Sequence, residues 1–97
     1  MKIIIPHKLG KTEALKRIKG LLEKVKEKYK DKIEKVDEKW KGNEGEYYLI
    51  IYRYELNGKI EVTDKDIKLS GKLPWTLSLF KNKIEKIIIT EAKKLLN

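Results

Sequence analysis

Apolar residues in this chain recur every third or fourth position from Ala14 to Tyr29, switch toward every second position between Ile33 and Leu73, and return to the helical spacing from Leu77 to Leu95. A helix buries positions about 3.6 apart and a strand positions two apart, so the pattern calls for a helix, a run of strands and a second helix. Ahead of them, Lys2 to Ile5 is a β-branched run stopped by Pro6, which predicts a short first strand. The first helix is expected over about 12 to 30, with Thr12 as N-cap, Glu13 in the first turn, and Gly20 inside it marking close packing. Turn chemistry at Gly42 to Gly45, at Asn57-Gly58 and at Asp64 to Asp66 divides the middle into strands at about 33 to 40, 46 to 56, 59 to 64 and 66 to 72. Asn57-Gly58 is the strongest hairpin signal. Pro74 then sits near the first position of a closing helix expected over about 75 to 96. The order β-α-β-β-β-β-α predicts an α+β fold of two layers, a mainly antiparallel sheet of about five strands with two helices on one face.

Length bounds the rest. Ninety-seven residues read as a single domain, 1 to 97, and a chain of that size buries roughly 60 to 70% of its unfolded surface. It contains no cysteine, which excludes disulfides, Cys-ligated zinc or iron–sulfur centres and a thiol nucleophile, and permits a reducing compartment. The longest apolar run, Tyr47 to Tyr52, is six residues, against the ~20 a membrane-spanning helix needs. A soluble, cytoplasmic protein without transmembrane segment or signal peptide is therefore expected.

Lys and Arg number 24 against 15 Asp and Glu, a net charge of +9. Residues 1 to 31 carry ten basic and four acidic side chains, 32 to 73 nine of each, and 74 to 97 five and two, so the helices hold the surplus. Helices packed on one face of a sheet would present a positive layer that attracts anions, less so as salt rises. Specific nucleic-acid recognition is disfavoured, because only Arg17 and Arg53 offer the guanidinium fork and many lysines alternate with glutamates on a solvated helix face. A cysteine-free chain rich in Lys, Glu and Ile also suits adaptation to heat.

Three motifs invite chemistry that their surroundings do not support. Gly10-Lys11-Thr12 follows a strand and opens a helix, but a phosphate-binding loop needs glycine where Ile5 stands, and rigid Pro6 follows. His7 is the only histidine; alone it forms no metal cluster, and no spacing nominates a carboxylate partner for proton transfer. Asp64-Lys65-Asp66 begins like a calcium loop, yet Leu69 and Trp75 stand where that loop needs Gly and Glu. No catalytic, cofactor or metal residue is nominated.

One surface is. Tyr48, Ile50, Tyr52, Tyr54 and Leu56 form an unbroken apolar side of the second middle strand, matched by Ile60, Val62, Ile67, Leu69 and Leu73, and are expected to meet the helices. Tyr47, Leu49 and Ile51 then point to the other face, an exposed apolar stripe of the kind that marks contact surfaces. Three alternatives stand beside that reading: a curled sheet that buries the stripe, a homodimer, and a one-residue change of register that exchanges the faces. Leu79 and Ile89 lie off the main stripe of the last helix and either add to the contact surface or widen the helix's core face.

The assembled pattern resembles a family of small bacterial proteins, the polyhydroxyalkanoic acid (PHA) system or PHA granule-associated proteins. The residues that carry the likeness are His7-Lys8-Leu9-Gly10, Glu13-Ala14 and Arg17-Ile18, then Gly58-Lys59-Ile60-Glu61-Val62-Thr63-Asp64, Ile67 and Leu69, and finally Leu73-Pro74-Trp75, Ile84-Glu85 and Leu95-Leu96. The likeness spans nearly the whole chain and fades between Lys30 and Glu46. It implies association with PHA synthesis loci and granules and brings no active site; His7, Arg17 and Trp75 match the pattern without acquiring a role.

The function expected is that of a non-enzymatic, granule-associated or accessory protein without cofactor, holding an apolar or amphipathic surface through Tyr47, Leu49 and Ile51. The competing expectations are a basic module for an anionic partner, nucleic acid or acidic protein, and a small carrier of an apolar ligand. The granule surface, granule proteins or a second copy of the chain are the partners this reading names.

Overall fold

A computed structural model describes residues 1–97 as β1 (Lys2–Pro6), α1 (Lys11–Ile18), α2 (Leu21–Lys28), β2 (Ile33–Lys41), β3 (Glu44–Ile51), β4 (Tyr54–Val62), β5 (Asp66–Lys72), a 3₁₀ helix (Trp75–Phe80) and α3 (Lys81–Leu96). The five strands form one antiparallel sheet in the order β1-β5-β4-β3-β2. Strands β2 to β5 follow one another as a meander, and β1 adds at the far edge beside β5. The expected α+β architecture and element order are what the chain adopts.

Helices α1, α2 and α3 cover one face. Beneath them lie Ile3 and Ile5 of β1, Ile67 and Leu69 of β5, Leu56, Ile60 and Val62 of β4, Tyr47, Leu49 and Ile51 of β3, and Ile33 and Val36 of β2. Ala14, Ile18, Leu21, Leu22 and Val25 from α1 and α2, with Ile84, Ile87, Ile88, Ala92 and Leu96 from α3, close the core from above. The opposite face carries cross-strand rows such as Lys2, Ser70, Lys59, Glu46 and Lys39, side chains that keep their solvation without a second layer.

Four local expectations are corrected. The first helix is two pieces, because Gly20 adopts a left-handed φ of 87° and has open space around its Cβ position; it supplies a bend that other residues resist, where close packing was expected. The N-cap of α1 is Gly10, and the Lys11 amide donates to Asp64 Oδ1 at 3.2 Å from the β4–β5 turn, so Thr12 is not the cap. The closing helix starts at Lys81, since residues 75 to 80 take the tighter 3₁₀ form, with the Leu77 amide donating to Pro74 O at 2.8 Å.

The fourth correction has the widest effect. Asn57-Gly58 is not a turn but lies inside β4, where Gly58 pairs with Tyr47 on one side and Gly71 on the other. The hairpin turns instead at Tyr52-Arg53, both at positive φ, 52° and 68°, as a two-residue turn between twisted strands requires. The stretch 46 to 56, expected as one strand, is therefore the end of one strand and the start of the next.

Candidate functional site

A two-residue turn changes which alternate positions face the core. Before it the inward residues are Tyr47, Leu49 and Ile51; after it they are Leu56, Ile60 and Val62, with Leu49 directly opposite Leu56. Tyr47, Leu49 and Ile51 are accordingly 3%, 2% and 3% exposed, and the expected contact stripe is part of the core. The expected core residues Tyr48 and Ile50 lie on the open face, where the Tyr48 hydroxyl donates to Glu55 Oε1 at 2.9 Å and Lys35 Nζ sits 5.8 Å from the ring. The exchange of faces, one of the alternatives open in the sequence, is the one realised.

Tyr47 has a structural task. Its ring runs across the sheet over Gly58 and Gly71, and its hydroxyl donates to Ser70 O at 2.9 Å. A Cβ on Gly58 would collide with Ser70 O and stand 2.7 Å from the Tyr47 hydroxyl, and one on Gly71 would strike the same hydroxyl. Burial pushes the phenol's pKa well above its ordinary value.

The other residues singled out in the sequence separate into two groups. His7 Nε2 lies 2.9 Å from Thr63 O, and the Leu9 amide donates to His7 Nδ1 at 3.2 Å, so the ring is the Nε2–H tautomer with both nitrogens engaged by backbone. Arg17 Nε donates to Glu13 Oε2 at 2.9 Å, while its Nη1 reaches Asn97 O at 3.3 Å and ties α1 to the end of α3. Asp64 occupies the start of α1, where an anion would otherwise find free amides. These side chains fasten elements together, and no three His, Asp or Glu residues converge as a metal-holding group.

Trp75 is different: it is 85% exposed, and Leu79, four residues on, is 90% exposed. The 3₁₀ helix explains both. Leu77 is fully buried and anchors it, and with about three residues per turn the short element cannot also hide Trp75 and Leu79. The Ser78 hydroxyl closes it by donating to Trp75 O at 2.6 Å. Phe80, 40% exposed, stacks on Tyr52 with ring centroids 4.8 Å apart, joining the 3₁₀ helix to the Tyr52-Arg53 turn. Tyr54, paired with Ile51 just past that turn, is also 40% exposed. Exposed lysines flank the group: Lys72 before it, Lys81 and Lys83 after it.

Trp75, Leu79 and Phe80 of the 3₁₀ helix, with Tyr54 past the turn and Ile4 on the open sheet face, are the large apolar side chains that the molecule leaves exposed. Sequence reasoning noticed Trp75 and Leu79 separately but placed both on a regular helix. The missed signal was crowding: Trp75, Leu77, Leu79 and Phe80 within six residues are more apolar surface than one helix face can cover. The helix layer above the core is basic but partly paired. Glu91, buried between α2 and α3, accepts from Lys28 Nζ at 3.0 Å and Lys94 Nζ at 3.3 Å. The space enclosed by Leu22, Val25, Ile33, Leu49, Ile51, Leu56, Ile84, Ile87 and Ile88 amounts to about 10 Å³, too little for an acyl ligand. No helix is long and apolar enough to cross a membrane.

Compared with known proteins, the chain matches over residues 1–96 the family model described as "Putative polyhydroxyalkanoic acid system protein" (PHA_gran_rgn). Neither the curated proteins nor the solved structures gave a match.

Proposed function

The chain belongs to the polyhydroxyalkanoic acid system protein family, and from that premise we propose that it is a non-enzymatic accessory protein that docks on the surface of polyester granules. The observation that carries the reading is the near-complete exposure of Trp75 and Leu79 on one 3₁₀ helix, beside Phe80 and Tyr54. A granule offers an apolar interior behind an amphipathic coat, and a binder needs large apolar side chains ringed by charge. The lack of a catalytic role is supported by His7, whose two ring nitrogens are both engaged by backbone.

The test is co-sedimentation with isolated polyhydroxybutyrate granules at low and high salt, with a globular protein of similar charge as control. Burying Trp75 and Leu79 is worth about 1.5 to 3 kcal/mol each, so the Trp75→Ser/Leu79→Ser double variant should bind at least a hundredfold more weakly, on the order set by that burial. Ile4→Ser, an exposed apolar residue on the open sheet face, should leave binding unchanged. Binding that disappears with salt as the control's does would overturn the reading.

A further inference from the structure

The charge beside the exposed apolar side chains bears on what they meet. From Ile67 to Ile84 the chain has no Asp or Glu and carries Lys68, Lys72, Lys81 and Lys83. None of these lysines takes part in an ion pair, whereas Lys28, Lys32, Lys35 and Lys94 do. Arg53, exposed and also unpaired, joins them from the hairpin turn that Tyr52 holds against Phe80. Two bulky apolar side chains thus project from a stretch whose charged neighbours are Lys72, Lys81, Lys83 and Arg53, with Glu55, which accepts from the Tyr48 hydroxyl, the one exposed carboxylate next to Tyr54.

We propose that the 3₁₀ helix Trp75–Phe80 is an interfacial anchor for an anionic lipid layer, with Trp75 and Leu79 entering the boundary between headgroups and acyl chains while Lys72, Lys81, Lys83 and Arg53 lie against the lipid phosphates. This deepens the granule-docking reading and rests on it, naming an anionic lipid coat as what is recognised. Tryptophan suits that depth because its ring is apolar and its indole N–H, which here makes no bond within the protein, donates to headgroup oxygens. Lysine stems lie along the apolar boundary while their ammonium groups stay at the phosphates. A bare polyester surface carries no charge for the lysines to meet, and a second copy of this +9 chain would bring like charge against like.

The experiment uses the full chain with vesicles of phosphatidylcholine alone or with three parts in ten phosphatidylglycerol, some with brominated acyl chains, and with lipid-free polyhydroxybutyrate particles. The expected result is binding only to the phosphatidylglycerol vesicles, with tryptophan emission shifted to the blue and quenched by bromine. In Trp75→Phe the remaining Trp40 emission should not move on adding vesicles. Lys81→Gln/Lys83→Gln, which alters exposed side chains alone, should weaken vesicle binding roughly thirtyfold at low salt. Binding to lipid-free polymer but to no vesicle would overturn the lipid anchor and leave granule docking standing. Binding to neither would overturn the lipid anchor, and co-sedimentation with isolated granules decides the docking reading separately. Vesicle binding without a Trp75 shift, or self-association that Trp75→Phe abolishes, would also overturn the anchor.

Discussion

At the residue scale, Tyr47 and the glycines it covers show how a single contact fixes a strand. Gly58 and Gly71 are neighbours across β4 and β5, and the missing side chains make the slot that admits the Tyr47 ring and lets its hydroxyl reach Ser70 O. Gly58→Ala meets backbone as well as the ring, so it should lower unfolding stability by about 2 kcal/mol or more in denaturant titrations. Tyr47→Phe keeps the ring and loses one buried hydrogen bond, a cost of about 1 kcal/mol. A Gly58→Ala variant as stable as the parent would show that the slot is not needed. The slot was not legible in the sequence, because Asn57-Gly58 carries strong turn chemistry and only tertiary pairing with Tyr47 reveals another use of the glycine. The fastening roles of His7 and Arg17 were equally hidden, since their partners lie 56 and 79 to 80 residues away.

Among the elements, the Tyr52-Arg53 turn decides the most, since it sets which side of β3 and β4 meets the helices. Both residues occupy left-handed backbone that costs a non-glycine residue roughly 1 to 2 kcal/mol. Arg53→Gly should therefore raise the melting temperature, whereas Tyr52→Gly should gain less or lose, because it also removes the stack on Phe80, worth about 0.5 to 1.5 kcal/mol. Equal effects of the two would argue that the stack is idle. The joint between α2 and α3 has a pH signature. Hydrogen bonding from Lys28 outweighs burial, and with Lys94 holds the Glu91 carboxyl below its ordinary value of 4.5. A carboxyl whose pKa is lowered by folding stabilises the folded state above its unfolded value, and that contribution fades as pH falls through the folded one. Wild type should thus lose more stability than Glu91→Gln between pH 6 and pH 3, roughly the span over which a carboxylate titrates, as measured by urea unfolding at each pH. Parallel curves would remove Glu91 from the account.

For the whole molecule, the order of elements and the two-layer architecture were legible because hydrophobic spacing and Pro punctuation are local signals. The orientation of β3 was not, because the turn lies at Tyr52-Arg53, five residues before Asn57-Gly58, and puts Tyr47, Leu49 and Ile51 on the core side with Leu56, while Leu56, Ile60 and Val62 of β4 keep the side expected of them. Tyr47, Leu49 and Ile51 are therefore buried, and the exposed large apolar residues include Trp75, Leu79, Phe80 and Tyr54. Polar substitution separates the two surfaces: Leu49→Ser should unfold or strongly destabilise the chain, as core losses of several kcal/mol do, while Leu79→Ser should leave the melting temperature within about 2 °C.

The absence of cysteine gives the most direct test of the docking surface, since a single thiol can be placed at either face. Maleimide labelling of Leu79→Cys and of Ile4→Cys should be fast for both proteins when free. On polyhydroxybutyrate granules the account predicts that labelling of Leu79→Cys slows at least tenfold, on the order expected of a side chain withdrawn from water, while Ile4→Cys keeps its rate. Protection at Ile4 with Leu79 still open would contradict it and assign the contact to the bare face of the sheet.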